Sequence, residues 1–243
     1  MKMKSAVFAL VAAFAFSACS DDDGAYTCSS CVDSPEANAS YNATGQGVYK
    51  GILVGSSGTI TFYIANEGTT IKAVLEIDNM RIELTATGSY STDTGFTGAF
   101  TGTLNGSPVS ISFAVNNSGS FEVYNIVIPG HDDVEIHLIK ELSDKLVVGF
   151  EGTFSGEPGG TFNLVARLNE NGSGIWYAIS RTNITEQVPQ PVTSFFSGEI
   201  TEAGIVIGGG GDVDVDGEIS GDNISGTWDN GDVSGTWKGR RTL

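Results

Sequence analysis

The stretch YKGILVGSSGTITFYI, residues 49–64, decides the fold. From Ile60 onward, apolar Ile60, Phe62 and Ile64 alternate with Thr61 and Tyr63. A period of two puts successive side chains on opposite faces, so this is a strand with one face on a core. Ser57-Gly58 just before it is a turn signal that marks where the run begins. A hundred residues on, the same writing returns. YKGILVG (49–55) answers FEGTFSG (150–156), and GTITF (58–62) answers GTFNL (160–164). FTGAFT (96–101) answers FSGEIT (196–201). Three blocks in one order, all offset by about a hundred residues, read as a duplicated unit.

The alternation continues through Ile71–Ile77 and Val109–Val115, with Asn66-Glu67-Gly68, Asn105-Gly106, Asn171-Gly172 and Asn230-Gly231 as turns. Asn-Gly favours tight hairpins because both residues tolerate positive φ. The expected fold class is therefore all-β: an antiparallel meander forming a β-barrel or sandwich, built from two repeats of about a hundred residues. The units fall at about 47–140 and 148–240, within a domain spanning 46–243, with six or seven strands each. Only Val134–Leu142 tolerates a helix, and it too begins by alternating. Glycines inside the strands suggest bent or closely packed sheet.

Ahead of this lies MKMKSAVFALVAAFAFSACSDDD, residues 1–23. Lys2 and Lys4 precede the apolar run Ser5–Phe16, and Ser17 and Ala18 lead into Cys19. The run is too short for a hydrocarbon core that takes ~20 residues to cross. A charged start, a short apolar middle and a small-residue exit describe a secretory signal over residues 1–18. With cysteine at the exit it resembles the lipobox of bacterial lipoproteins, with Phe16 departing from the usual leucine. The resemblance implies acylation of Cys19, which makes the membrane a partner through the lipid anchor. Ser20-Asp21-Asp22-Asp23 resembles the export signal of Bacteroidota surface lipoproteins. That implies an outer-membrane anchor and a surface-exposed chain. Residues 19–45, rich in Ser, Asp, Ala, Asn and Gly, read as a flexible tether.

Removing residues 1–18 deletes two lysines and no acid, which takes the formal charge from −17 to −19. Such a surface repels nucleic acid, whose binding needs clustered Lys and Arg. Cys28 and Cys31 in the tether suit either a local disulfide or spare thiols in a flexible leader of an oxidising compartment.

The stretch GGGGDVDVDGEISGDN, residues 208–223, carries the candidate metal site. Asp212, Asp214 and Asp216 take the first, third and fifth places of an EF-hand loop, and Gly217 the sixth. Asn223 stands where the bidentate Glu belongs, and the flanks read as strand. The expectation is extended strand with three outward carboxylates and at most weak, millimolar-class calcium binding. No other cofactor is implied.

In ISGTWDNGDVSGTW (224–237), Trp228 and Trp237 fall beside glycines on the apolar face of a hairpin, a position that suits core more than a sugar-stacking platform. Trp176-Tyr177 puts two aromatics on opposite faces, so one is exposed; this pair is the candidate ligand-stacking site. His131, beside Asp132 and Asp133, reads as a solvated loop. No GxSxG, HExxH or GxxxxGK[ST] motif is present, and no residue is singled out as catalytic. The expected role is non-catalytic: binding a glycan or protein at the envelope, or envelope structure. The alternative is a glycan-acting hydrolase using two paired carboxylates.

Overall fold

The computed structural model describes residues 26–157, 159–186 and 188–243. The signal peptide and the lipidation residue Cys19 lie outside the described residues.

Sixteen strands form two eight-stranded antiparallel units. The first contains β1 (Gly47–Val54), β2 (Gly58–Ile64), β3 (Ile71–Ile77), β4 (Met80–Ala86), β5 (Phe96–Leu104), β6 (Ser107–Val115), β7 (Phe121–Val127) and β8 (Glu135–Lys140). These run as a meander, with β8 returning to pair with β1. No ladder joins β7 to β8, so the ring stays nearly closed. The second contains β9 (Lys145–Phe154), β10 (Gly160–Asn169), β11 (Gly174–Thr182), β12 (Thr193–Ile200), β13 (Ile205–Gly210), β14 (Val213–Ser220), β15 (Asn223–Asp229) and β16 (Ser234–Arg241). Here β16 pairs with β9 and the barrel closes.

The all-β, two-unit reading holds, with eight strands per unit where the sequence suggested six or seven. The extra strand in the first unit is β8, inside the stretch that tolerated a helix. Alternation along Glu135–Lys140 lets Ile136 and Leu138 pack on the first core while Ile139 faces the second barrel. Two repeat blocks take matching places: Gly51 and Gly152 sit on β1 and β9, and Gly58 and Gly160 open β2 and β10. The third does not. Gly98 lies on the fifth strand of its unit and Gly198 on the fourth of the other. Similar local writing there reflects the same need for a close backbone approach, not an equivalent position. A Cβ at Gly98 would lie 2.1 Å from the Thr87 carbonyl oxygen, and one at Gly198 2.1 Å from that of Ile207.

The first unit is filled. Phe62 stacks on Phe113 at 4.8 Å, with Phe100 edge-on to Phe62 at 4.9 Å and Tyr49 edge-on to Phe113 at 5.3 Å. Its outer face packs on the second unit through Ile52, Val54 and Ile139 against Val147, Val165 and Ile179. Strand β1 is therefore buried along its whole length, which explains why KGILV lacks a polar face. Lys50, on the outward side of β1, is buried with its Nζ 2.8 Å from Glu36 Oε2 and 2.9 Å from Glu141 Oε1. Glu141 also accepts from the amides of Val147 and Glu36.

The tether reading is corrected over its described part. Residues 26–45 lie against the domain through specific contacts. Cys28 and Cys31 form a disulfide, and the Cys28 amide donates to Asp222. Arg241 bridges Asp33 and Asp222. Asn38 and Glu36 bond Asn66. Small polar composition marked the segment as irregular chain, and the polar groups that gave that composition are the ones that dock it.

Candidate functional site: the lumen of the second barrel

The second barrel has the same strand number as the first unit but a different interior. Its inward positions read Phe162 and Leu164 on β10, Trp176 and Ala178 on β11, Phe196 and Gly198 on β12, Val206 and Gly208 on β13. Strands β14 to β16 add Val215, Gly217, Gly226, Trp228, Gly235 and Trp237. The glycines face the tryptophans. A Cβ on Gly208 would come 2.6 Å from the Trp176 ring, one on Gly217 2.3 Å from Trp237, and one on Gly235 2.5 Å from Trp228. Each indole lies against bare backbone, and each N–H donates to a carbonyl: Trp176 to Ile207 at 3.3 Å, Trp228 to Ser155 at 2.8 Å, Trp237 to Thr227 at 3.0 Å. With their donors satisfied and their bulk against the wall, the rings present apolar faces to the lumen.

A cavity of about 300 Å³ remains. One end of the barrel is sealed by Ile200, Ile224, Leu146, Leu168 and Ile219. The other opens between the 155–159, 183–192 and 230–233 connections, where Glu157, Val188, Val192, Asn230 and Val233 form the rim. The rim strap is tied down: Asn183 donates to the Gly159 carbonyl, and the Val192 amide donates to Thr182 Oγ1 at 2.8 Å. Inside, polarity is graded. Ser180, Thr182 and Ser194 lie toward the mouth, and Trp176, Leu164 and Val206 lie deeper. Of the lining residues, Glu157 is the only carboxylate.

The Trp176–Tyr177 pair divides as the strand period demands. Trp176 is buried and lines the lumen, and Tyr177 stands on the outer wall, half exposed. They cannot form one stacking platform. Trp228 and Trp237 point inward as expected, and they line a cavity. Asp214 and Asp216 point outward from β14 in extended chain, while Asp212 sits in the β13–β14 turn beside Gly211 at φ 63°. Asp214 is directly opposite Asp229 on β15. No group of three or more His, Cys, Asp or Glu side chains able to hold a metal ion occurs among the described residues. His131 is not simply solvated: its Nε2 lies 3.0 Å from Asp78 Oδ2.

The lumen itself was not foreseen. The signal was available in the inward Gly–Trp alternation of 198–237, but it needs the cross-strand register to show which glycine faces which ring. Comparison with known proteins returns no match: no family model, no curated protein and no solved structure is significantly similar to this chain.

Proposed function

We propose that the protein is a lipid-anchored envelope protein with a non-catalytic binding role, and that its ligand is a compact apolar or amphiphilic molecule held in the second barrel. The apolar lumen of about 300 Å³, open at one end, carries this reading. That size is at the lower bound of small-molecule sites, which are mostly apolar with a few placed polar groups. It corresponds to about ten waters at their liquid volume. Waters against Leu164, Val206 and three indoles lack partners, so an apolar guest displaces them at a gain. Ser180, Ser194 and Asn230 near the mouth suit a polar head. A single lining carboxylate supports binding over glycoside hydrolysis, which uses two.

All three tryptophans of the chain line this cavity. Intrinsic tryptophan emission is therefore a reporter of the lumen alone. Titration with decanoic acid, decanol and 1-naphthol should give saturable changes in that emission. Ala178→Phe fills the lumen and should weaken binding at least tenfold, while Asp214→Asn, on the outer wall, should leave it unchanged. No emission change with any of the three probes, or wild-type binding by Ala178→Phe, refutes the proposal.

A further inference from the structure

The aromatic side chains most open to solvent converge on one groove. Phe121 is 36%, Tyr177 50% and Phe195 62% exposed, and no other aromatic among the described residues reaches the exposed class. They come from β7, β11 and β12 and line a cleft of about 630 Å³. One side of this cleft is the unpaired β7–β8 seam of the first unit. The other is the outer wall of the second barrel.

The charge of the cleft opposes that of the molecule. The chain carries 29 acidic and 12 basic residues, yet among the described residues no Asp or Glu lines the cleft, and His137, Lys140 and Arg167 do. The Lys140 ammonium is already engaged by the carbonyls of Tyr41 and Thr44. His137 has Glu135 at 3.4 Å, a carboxylate shared with Arg181. Arg167, on the outward side of β10 next to Ile175, makes no ion pair among the described residues.

We propose that this groove binds an acidic oligosaccharide, with sugar rings stacked on Tyr177 and Phe195 and a carboxylate or sulfate against Arg167. Open aromatic faces without an enclosing socket suit flat rings with C–H faces. A free guanidinium in a cleft of an acidic protein selects an anion, since its planar fork matches a carboxylate. An open groove of about 630 Å³ has room for more than one ring of a chain. This site lies outside the barrel wall and is independent of the lumen.

The test uses the whole mature protein in native gels containing polygalacturonate, alginate, chondroitin sulfate or neutral dextran. Retardation by an acidic polysaccharide and not by dextran is expected. Calorimetry with hexagalacturonate should then show binding weakened at least tenfold in Arg167→Gln and in Tyr177→Ala/Phe195→Ala. Both variants alter outward side chains, and unchanged tryptophan emission would show that they are folded. Absence of retardation by all three acidic polysaccharides, equal retardation by dextran, or full binding by Arg167→Gln overturns the proposal. Binding of poly-glutamate as tightly as hexagalacturonate also overturns it, in favour of an acidic peptide.

Discussion

Lys50→Met should be the most damaging single change in the polar interior. Lys50 and Glu141 are both essentially without solvent access, at 1% and 0% side-chain exposure. Removing the cation leaves the Glu141 carboxylate buried, with only the Val147 and Glu36 amides to hold it. Breaking one side of a buried pair costs about 3–5 kcal/mol, because the remaining charge is uncompensated. For a chain of this size that is a fall in Tm of about 6–20 °C, at about 2–4 °C per kcal/mol. Glu141→Gln should cost less. Its carbonyl oxygen can still accept from Val147, and Lys50 retains Glu36 at 2.8 Å. The double variant Lys50→Met/Glu141→Gln should recover at least about 1 kcal/mol relative to Lys50→Met, since it buries no net charge. Glu36, more than a third exposed, turns to water in that background. Calorimetric and urea melts of the four proteins give the cycle. A Lys50→Met shift below about 3 °C, or a double variant whose loss equals the sum of the singles, would refute the account of a charge held by its partner.

Asp214→Asn should stabilise by about 0.2–1 kcal/mol, because it removes a like-charge pair with Asp229 directly across the ladder; the gain should shrink in high salt, and a loss at low salt without calcium would show that the carboxylate is engaged. Lys140 gives a pH dependence. Burial lowers its pKa from 10.5 to about 8, so between those values the unfolded chain holds a proton that the folded chain has released, and stability rises with pH from about 8. Tyr49 and Tyr63 work in the opposite sense: burial raises both above the usual 10.0, so stability falls as pH climbs past 10. The melts should peak between pH 8 and 10, and Lys140→Met should flatten the rising limb; an unaltered rise in that variant would remove Lys140 as its cause. Cys19→Ala should abolish incorporation of labelled fatty acid and release the protein from membranes, as the lipobox resemblance implies.

Strand existence was legible because the period of two is local. Ile60–Ile64 and Val109–Val115 declare their faces without reference to anything else. The number of strands was not: β1 is buried along its whole length and carries no polar face to count by. Two-sided burial erases alternation, as KGILV shows. Docking of residues 26–45 was hidden for another reason: Asp33, Glu36 and Asn38 act through partners at 241, 50, 141 and 66. Nothing in a polar segment's own composition names a partner so remote. Trp176 and Tyr177 lie on opposite faces, as the strand period requires; which of the two faces the interior is not written in the pair itself. Asp214 and Asp216 went where the strand reading put them, since Val213 and Val215 needed the interior.

Why one barrel is filled and the other hollow follows from how each treats its aromatics. Both are eight-stranded, a size whose interior side chains can fill or can leave room for one small ligand. In the first unit Phe62, Phe96, Phe100 and Phe113 meet one another, with centroid distances of 4.8 to 6.5 Å, so rings occupy the centre. In the second, no two tryptophans pair; Trp228 and Trp237 meet only Phe154 and Phe162, edge-on at 6.4 and 5.9 Å, and each indole lies against glycine backbone. Gly198, Gly208, Gly217, Gly226 and Gly235 remove the Cβ atoms that would push the rings inward. Each glycine inside a strand costs about 0.5–1 kcal/mol relative to alanine. Five of them amount to several kcal/mol of stability forgone along one wall. A barrel needing only stability would place alanine or valine there and let smaller side chains fill the centre. The backbone carbonyls of Ser155, Ile207 and Thr227, each receiving an indole N–H, hold the rings in that flattened arrangement. The empty volume is therefore specified by residue choice at these eight glycine and tryptophan positions rather than left over from poor packing. Cavities of this kind are costly to keep, and one kept by a repeated device, beside a unit of the same strand number that packs its interior, is a strong physical argument for a ligand.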